Sequence, residues 1–278
     1  MAAFGSPLFY CMTAWQTRHS GLIPLFRMLS RLFGNRPKRT PTIPAGQRVY
    51  AIGDIHGRVD LLEQILACID SDNRSREVAD TQIIFLGDLI DRGPHSARVV
   101  ELVQEVMSAD ARYRCLLGNH EEIFLTAMCG DLEALKLFTR VGGKETILSY
   151  GVSEEDYLAA DYSELLELLK HNVPEEHVRF LSSLEDMIVA GDYAFVHAGV
   201  RPGVALANQS PKELRWIRRE FLSYNGTFDK VIVHGHTISS EIEEKENRIG
   251  LDTGAYATGV LSAMGFSNAD RWRIQTKV

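Results

Sequence analysis

The fold of this 278-residue chain is decided by the stretch Val49-Tyr50-Ala51-Ile52-Gly53-Asp54-Ile55-His56-Gly57. Its first four residues are apolar or aromatic, as in a strand that is buried on both faces. They lead directly into glycines and two polar side chains, Asp54 and His56. The same order recurs where Thr81–Leu86 precedes Gly87-Asp88 and where Tyr113–Leu117 precedes Gly118-Asn119-His120. A buried strand that ends in glycine and polar residues is therefore predicted three times.

Helical spacing of apolar residues fills the intervals between these strands. In the first interval the residues are Leu61, Leu62, Ile65, Leu66 and Ile69, and residues 99–106 show roughly the same spacing in the second. A repeated strand–helix–strand pattern predicts an α/β fold with a mostly parallel sheet and crossover helices. Open α/β sheets place ligands at the carboxyl ends of their strands, which is where the polar residues of this chain lie.

The remainder of the chain is predicted to be first helical and then β-rich. Four helical segments, separated by glycine and proline, are expected over residues 122–129, 132–141, 163–171 and 174–184. One further helix, over residues 211–222, interrupts β-runs at residues 187–189, 193–196, 231–233, 249–251, 260–266 and 272–276. Because polar strand ends such as His197 and His236 recur here, one site is predicted to draw on the whole length of one domain.

The net charge of −7 averages two different segments. Residues 1–53 hold seven basic side chains and no acidic one, because the first carboxylate of the chain is Asp54. The remainder is therefore more acidic than the net charge indicates. General electrostatic binding of nucleic acid is excluded for such a body, because that mode needs clustered Lys and Arg. An acidic body can readily hold divalent cations.

The four cysteines have no regular spacing and form no Cys-x-x-Cys pair, which favours a reducing, cytoplasmic setting. No run of sequence reaches the roughly 18 apolar residues that a membrane-spanning helix needs. The N-terminus also lacks the order of a cleavable signal peptide. Neither export nor a transmembrane span is therefore expected.

Residues 1–47 are predicted to be a basic leader, and residues 48–278 the folded body. Apolar residues recur at helical spacing in the leader, at Leu25, Met28, Leu29, Leu32 and Phe33. One interpretation is weak contact of residues 22–39 with an anionic membrane surface, or a docking helix. The other is a poorly ordered leader lengthened by an upstream start codon, in which Met12 or Met28 is the true start.

Potential metal ligands follow the predicted strands directly. They are carboxylate, imidazole and amide side chains: Asp54, His56, Asp88, Asn119, His120, His197 and His236. This mixture suits Mn²⁺, Fe²⁺ or Zn²⁺ better than Ca²⁺ or Mg²⁺, which prefer shells of oxygen alone. Six or seven ligands exceed the three or four that one catalytic ion takes from a protein. Two ions are therefore predicted, held as a pair by a bridging aspartate.

Five blocks of the sequence together resemble the calcineurin-like metallophosphoesterases, and among these the bacterial and phage serine/threonine phosphatases of the phosphoprotein phosphatase family. The blocks are Gly53–Gly57, Gly87–Gly93, Gly118–Glu121, His197–Gly199 and Gly235–Thr237, and the likeness covers about residues 48–278. The resemblance implies two mixed β-sheets packed as a sandwich and flanked by helices. It also implies two divalent metal ions at the sheet edge, with Mn²⁺ expected and Fe or Zn as alternatives.

The resemblance assigns the ligands position by position. Asp54, His56 and His236 are expected to bind one ion, Asn119 and His197 the other, and Asp88 both. The reaction it implies is in-line attack on phosphorus by a metal-bridging hydroxide, without a covalent phosphoenzyme. His120 is then the expected general acid, with Asp91 as the carboxylate partner that holds its imidazole.

Three side chains are expected to bind the substrate phosphate: Arg92, Asn119 and Arg218. The planar fork of an arginine matches two phosphate oxygens and can stabilise charge during transfer. Arg218 stands two places after Trp216, as in the bacterial pattern. The neighbouring Arg219 stays an alternative to it.

The main substrate hypothesis is a phosphoserine or phosphothreonine monoester in a protein. The alternative is a hydrolase of diadenosine tetraphosphate, or a broad-specificity phosphoesterase for phosphorylated small molecules. Symmetrical dinucleotide hydrolases usually carry alanine, aspartate and tryptophan where this chain has Asp91, Glu121 and Thr237, which favours the protein phosphatase. A non-catalytic module on the same scaffold would have a damaged ligand set, whereas every expected ligand is present.

Overall fold

The computed structural model describes residues 40–276. Their ten strands are β1 (Gln47–Ile52), β2 (Asp80–Phe85), β3 (Tyr113–Cys115), β4 (Met187–Ala190), β5 (Tyr193–Val196), β6 (Val231–His234), β7 (Glu243–Glu244), β8 (Arg248–Gly250), β9 (Ser262–Ser267) and β10 (Asp270–Gln275). Their α-helices are α1 (Val59–Ser75), α2 (Ser96–Ala109), α3 (Asn119–Met128), α4 (Leu132–Phe138), α5 (Lys144–Ser149), α6 (Glu154–Ala159), α7 (Tyr162–Asn172), α8 (Glu175–Ser182), α9 (Pro211–Trp216), α10 (Arg219–Leu222) and α11 (Ala255–Thr258). A π-helical turn, Thr139–Gly143, joins α4 to α5, and a 3₁₀ turn covers Leu206–Asn208.

The first sheet has the strand order β10-β9-β1-β2-β3. Strands β1, β2 and β3 are parallel, as the repeated strand–helix–strand pattern predicts, and α1 and α2 make the crossovers. Strands β9 and β10 form an antiparallel hairpin that pairs with the other edge of β1. The deciding stretch of sequence therefore supplies the central strand of this sheet.

Alternate residues of β1 face two different cores. Tyr50 and Ile52 pack into the cluster that contains the apolar residues of α1 and α2. Val49 and Ala51 pack instead with residues of the second sheet, including Phe195. Since strand side chains alternate between the two faces, both sets must be apolar when both faces are covered. This double burial is why the last four residues of β1, Val49 to Ile52, are all apolar or aromatic.

The second sheet has the strand order β4-β5-β6-β8-β7 and is mixed, as the resemblance implies. Strands β5, β6 and β8 are parallel, and β4 and β7 pair antiparallel at its edges. Its other face is covered by the segment of α9 and α10 through Leu214, Ile217 and Phe221. The prediction of two mixed sheets packed as a sandwich with flanking helices is confirmed.

The prediction of one continuous helix over residues 211–222 is wrong. Helix α9 ends at Trp216, and α10 begins at Arg219. Between them Ile217 has an extended backbone (φ −61°, ψ 138°), and Arg218 has φ −131° and ψ −85°. Ile217 is buried in the core on the second sheet. Burial of this side chain stabilises a break that helical spacing alone does not indicate.

Most of the predicted leader, residues 1–39, lies outside the described residues. Its membrane contact and its start therefore stay predictions. The last residues of the leader as predicted pack on the body, because Ile43 is buried between the sheets and its amide donates to the Asn268 carbonyl. Among residues 40–276, none of the helices combines the length and the apolar character needed to cross a bilayer.

Candidate metal centre and active site

The six expected metal ligands lie together at the carboxyl ends of central strands from both sheets. They follow β1 (Asp54, His56), β2 (Asp88), β5 (His197) and β6 (His236), or begin α3 just after β3 (Asn119). All six side chains are buried. Hydrogen bonds and short carboxylate–imidazole distances join them. The site thus draws on both halves of the body, as the sequence predicts.

Left-handed backbone conformations mark this edge of the sandwich. Among the described residues, six residues other than glycine have positive φ, and five of them are candidate site residues: His56 (46°), Asp88 (51°), Asp91 (74°), Arg92 (67°) and His236 (63°). Such conformations cost about 1–3 kcal/mol each and persist only where surrounding contacts enforce them. The contacts here are close, because a Cβ added to Gly93 would lie 2.1 Å from the His56 carbonyl oxygen.

The carboxylate of Asp88 lies between two groups of imidazoles. Its Oδ2 is 3.6 Å from Nε2 of His56 and 3.9 Å from Nε2 of His120. Its Oδ1 is 3.4 Å from Nε2 of His197. The first group is His56, Asp88 and His120, and the second is Asp88, His197 and His236. In each group the candidate ligand atoms lie within 4.8 Å of one another. One aspartate therefore faces two positions that could each hold an ion, which is the geometry that a bridging ligand needs.

The position of His236 differs from the expected division of the ligands. Its ring lies beside that of His197, with 5.1 Å between the centroids, in the second of the two groups. Only its backbone amide reaches Asp54, donating to the two carboxylate oxygens at 3.1 and 2.9 Å. The imidazole of His236 thus lies with His197 on one side of Asp88, whereas the imidazole of His56 lies on the other.

Backbone carbonyls and burial prepare the imidazoles for metal binding. Nδ1 of His56 donates to the Ile90 carbonyl oxygen at 2.7 Å, so its Nε2 lone pair faces Asp88. Burial lowers the pKa of His56 to about 3, and burial together with the neighbouring His197 lowers the pKa of His236 to about 2. Both imidazoles are therefore uncharged near neutral pH, which is the form that binds a metal.

Acceptors surround both nitrogens of the His197 ring. Its Nδ1 lies 2.8 Å from the Leu86 carbonyl oxygen, and its Nε2 lies 3.0 Å from Oδ1 of Asn119. Burial acts to lower the pKa of His197, but the nearby Asp88 carboxylate raises it above its usual value. Because oxygen atoms from Asp88 and Asn119 converge on this nitrogen, the position between the three atoms favours a positive charge.

The buried carboxylates also fit a pair of divalent cations. No Lys or Arg among residues 40–276 forms a salt bridge with Asp54 or Asp88. Burial and the charges of Asp252 and Asp88 raise the pKa of Asp54. Burial acts to raise the pKa of Asp88 as well, but the neighbouring imidazoles lower it well below its usual range. Uncompensated buried charge is costly, and this set of oxygen and nitrogen donors suits transition-metal ions.

The two predicted phosphate-binding arginines both donate hydrogen bonds to imidazole nitrogens of the candidate site. Arg92 donates from Nη1 to Nε2 of His56 at 2.8 Å and from Nη2 to Nε2 of His120 at 2.9 Å. Arg218 donates from Nε to Nε2 of His236 at 2.8 Å. Guanidinium cations thus lie against nitrogens that could ligate an ion, and both arginines border the candidate site. Of the two adjacent arginines, Arg218 is the one that reaches it.

Sequence reasoning missed the contact that holds this arginine segment. Glu122 accepts hydrogen bonds from Nε1 of Trp216 at 2.5 Å and from Nη1 of Arg215 at 3.1 Å. Arg215 also donates from Nε to Asp186 at 2.8 Å. The contact joins residues more than 90 positions apart. No local spacing signals such a pair.

His120 and Asp91 form the predicted pair. Nδ1 of His120 lies 2.5 Å from Oδ2 of Asp91, and Thr146 donates from its hydroxyl to the other carboxylate oxygen at 2.6 Å. Burial acts to lower the pKa of His120, but the charges of Asp88 and Asp91 raise it above its usual value. The imidazole is thereby held with Nε2 toward the site, where a proton could be delivered.

Glu121 is a second residue whose role sequence reasoning missed. Its carboxylate accepts hydrogen bonds from the backbone amides of Asp88, Leu89, Ile90 and Gly118. Burial, reinforced by the charge of Asp88, raises its pKa to about 7. It ties the end of β2 to the start of α3. The signal was a glutamate three residues after Gly118, which is the position from which a side chain caps a helix.

Comparisons with known proteins agree with this site. A family model for calcineurin-like phosphoesterases matches residues 47–259. A symmetrical bis(5'-nucleosyl)-tetraphosphatase of Acidovorax ebreus is 31% identical over 184 residues, or 66% of this chain and 51% of that protein, so the chain spans about half of its length. An asymmetrical bis(5'-nucleosyl)-tetraphosphatase, PrpE, of Halalkalibacterium halodurans is 30% identical over 230 residues, or 77% of this chain and 88% of that protein.

A solved structure extends the likeness to a protein phosphatase. The protein serine/threonine phosphatase from Saccharomyces cerevisiae has a TM-score of 0.54 at 15% identity, over 87% of this chain and 85% of the other. At that identity the likeness concerns the fold alone. The family match covers nearly the whole body that builds the site, including every expected metal ligand. This chain belongs to the calcineurin-like phosphoesterase family.

Proposed function

We propose that this phosphoesterase hydrolyses dinucleoside polyphosphates, with bis(5'-nucleosyl) tetraphosphate as its substrate. The observation that carries the proposal is the similarity to two proteins named for that activity, at 31% and 30% identity, one of them covered over 88% of its length. The site supports the chemistry in general, because it combines two candidate ion positions with two arginines.

The hypothesis of a serine/threonine protein phosphatase is less well supported than its alternative. It rested on Asp91, Glu121 and Thr237. In the structure Asp91 binds the His120 ring, and Glu121 binds backbone amides, both fully buried. The hydroxyl oxygen of Thr237 is buried too. Buried polar atoms of this kind give no information on whether the group that carries the phosphate is a peptide or a nucleoside.

Two divalent ions, when bound, would supply Lewis acidity and neutralise charge at the phosphate. The residues that would hold them are the two groups around Asp88, with Asp54 and Asn119 beside them. Mn²⁺ is the proposed metal, and Fe and Zn suit the same donors. Arg92, Arg218 and Asn119 would bind phosphate oxygens, because guanidinium and amide N–H groups are strong donors to them.

His120 would hold the proton for the leaving group, with Asp91 keeping the ring in place. The demand for that proton depends on the substrate. A phosphoanhydride releases a phosphate, which is a good leaving group, whereas a phosphoserine releases an alkoxide that needs protonation. A site with an intact His120–Asp91 pair can therefore serve both bonds, and the dependence on His120 should distinguish them.

A direct comparison of turnover tests the proposal. The full chain, loaded with Mn²⁺, is assayed on diadenosine tetraphosphate and on a phosphoserine peptide, with Asp88→Asn as the inactive control. We expect kcat/KM for the dinucleotide to exceed that for the peptide by at least about tenfold, or about 1.4 kcal/mol. Two ADP molecules as product would indicate symmetrical cleavage, and ATP with AMP asymmetrical cleavage. Equal or faster cleavage of the peptide would overturn the proposal.

A further inference from the structure

Asp252 is a buried carboxylate at the edge of the sandwich that carries the candidate metal centre, and it has no part in the proposed reaction. It lies two residues beyond the end of β8 and is 1% exposed. Its Oδ1 accepts a hydrogen bond from the Gly254 amide at 2.9 Å and so holds the turn that follows the strand. Its Oδ2 is also buried and has no hydrogen-bond partner. A buried carboxylate oxygen without a partner is costly unless a positive group compensates it.

The strand ends place this carboxylate beside Asp54. The segment after β8 approaches the end of β1 so closely that a Cβ on Gly53 would lie 2.4 Å from the Leu251 carbonyl oxygen. Leu251 also donates its amide to the His234 carbonyl, on the strand that leads to His236. Asp54 follows Gly53 directly, Asp252 follows Leu251 directly, and both carboxylates are buried. Two carboxylates therefore share one buried region.

Cationic side chains do not compensate this pair. Within residues 40–276, neither Asp54 nor Asp252 forms a salt bridge with Lys or Arg. In the described part of the chain, the region thus has two buried carboxylates, one buried oxygen without a hydrogen-bond partner and no paired cation.

We propose that Asp252 is a further carboxylate of the metal centre, which stabilises the divalent cation beside Asp54 through its free Oδ2. Oδ1 keeps the side chain at the turn, so the two oxygens have separate roles. Carboxylates from the ends of β1, β2 and β8 would then hold the ion on the Asp54 side of Asp88. The inference concerns metal binding and holds whether the substrate is a dinucleotide or a phosphoprotein.

The test separates the charge of Asp252 from its place in the turn. Asp252→Asn keeps the oxygen that accepts from the Gly254 amide and removes the charge. Mn²⁺ is titrated calorimetrically into metal-free full-length protein, and the melting temperature of the metal-free protein is measured in parallel. We expect the affinity of one of the two ions to fall by at least about tenfold. The metal-free variant should melt at a higher temperature than the metal-free wild type, because the repulsion from Asp54 is removed.

Asp72→Asn is the matched control, since Asp72 is a carboxylate of the same body with Arg76, Tyr50 and Trp272 as partners. It should lower the melting temperature and leave the affinity for Mn²⁺ unchanged. A loss of affinity smaller than tenfold in Asp252→Asn, or a loss together with a lower melting temperature of the metal-free variant, would overturn the inference.

A second variant covers the case in which Asp252→Asn does not fold, as judged by circular dichroism. Asp252→Ser keeps a hydroxyl that can accept from the Gly254 amide, and the same thresholds apply to it. No substrate is present in these titrations. A failed substrate proposal and a failed metal inference are therefore distinguishable.

Discussion

Asp72 and Asp54 are aspartates of one fold in opposite surroundings. Asp72 accepts hydrogen bonds from Arg76, Tyr50 and Trp272 at 2.8, 2.7 and 2.9 Å. Burial acts to raise its pKa, but these partners lower it below its usual value. At Asp54, burial and the neighbouring carboxylates raise the pKa instead. The partners of Asp72 favour its ionised form and stabilise the fold, whereas the surroundings of Asp54 leave its charge to be compensated by a cation.

The same contrast separates the two ends of the first sheet. Around Asp72 the partners come from β1, from β10 and from the residue that follows α1, and they satisfy the carboxylate. At the carboxyl ends of β1 and β2, left-handed residues and buried carboxylates occur together. Strain and unpaired charge of this kind are tolerated at functional sites because well-packed surroundings enforce them. Four variants test this contrast between carboxylates that stabilise the fold and carboxylates that serve the candidate site.

The largest effect is expected from Asp88→Asn. The side chain faces both candidate ion positions, so the change removes the one charge that the two positions share. Phosphoesterase activity should fall by on the order of 1,000-fold or more, and the bound Mn²⁺, measured by elemental analysis, should decrease. Circular dichroism checks that the fold is retained. Activity within tenfold of the wild type would contradict the shared role of this aspartate.

His120→Gln should have an effect that depends on the bond cleaved. Removal of a general acid lowers turnover by about 100- to 10,000-fold where the leaving group must be protonated. We expect a loss of that size on a phosphoserine peptide and a much smaller loss on a dinucleoside tetraphosphate. The two values of kcat are compared in the same Mn²⁺ buffer. Equal losses on both substrates would remove His120 as a proton donor.

Arg218→Lys should raise KM by about tenfold, because a lysine keeps the charge but cannot donate the bidentate hydrogen bonds that a guanidinium makes to phosphate. Arg219→Lys is the matched control one residue away. Arg219 is exposed at the start of α10, whereas Arg218 reaches His236. We expect the control to leave KM within about twofold of the wild type. The reverse order of effects would reassign the phosphate contact to Arg219.

The smallest effect on activity is expected from Asp72→Asn, which should act on stability alone. Loss of charged hydrogen bonds should lower the free energy of unfolding by about 1–2 kcal/mol at neutral pH. Because the folded pKa of Asp72 is depressed, its contribution is present above the unfolded value of about 4 and is lost as the pH falls through the folded value. Urea unfolding should therefore give a difference from the wild type that shrinks below about pH 4.

The sequence predicts the identity of the site better than its internal arrangement. Candidate ligands such as Asp54, Asp88 and His197 could be found because each follows a buried strand, and the carboxyl ends of neighbouring strands meet at one edge. The side on which His236 places its ring could not be predicted. Its left-handed backbone separates the direction of the amide from that of the imidazole, and spacing carries no information on that angle.

Elements that depend on distant contacts were also missed or misjudged. Helical periodicity runs through residues 211–222, yet burial of Ile217 interrupts the helix and frees Arg218 to reach His236. Helices α5 and α6 were not predicted, and a π-helical turn in which Gly142 has φ 116° leads into α5. The parallel strands β1, β2 and β3 were predicted correctly, but nothing in the local pattern of residues 262–275 assigns that antiparallel hairpin to β1.

The pairing of β1 with β9 has a consequence for the order in which the site is assembled. The register joins Tyr50 to Gly265 and Ile52 to Ala263, across most of the described length. Contacts of such high sequence separation form slowly, because a long loop must close first. Asp54 lies two residues beyond this strand, so its final position depends on a partner strand that comes much later in the sequence. In a chain still on the ribosome, candidate ligands such as Asp54 are therefore synthesised long before folding can bring them together.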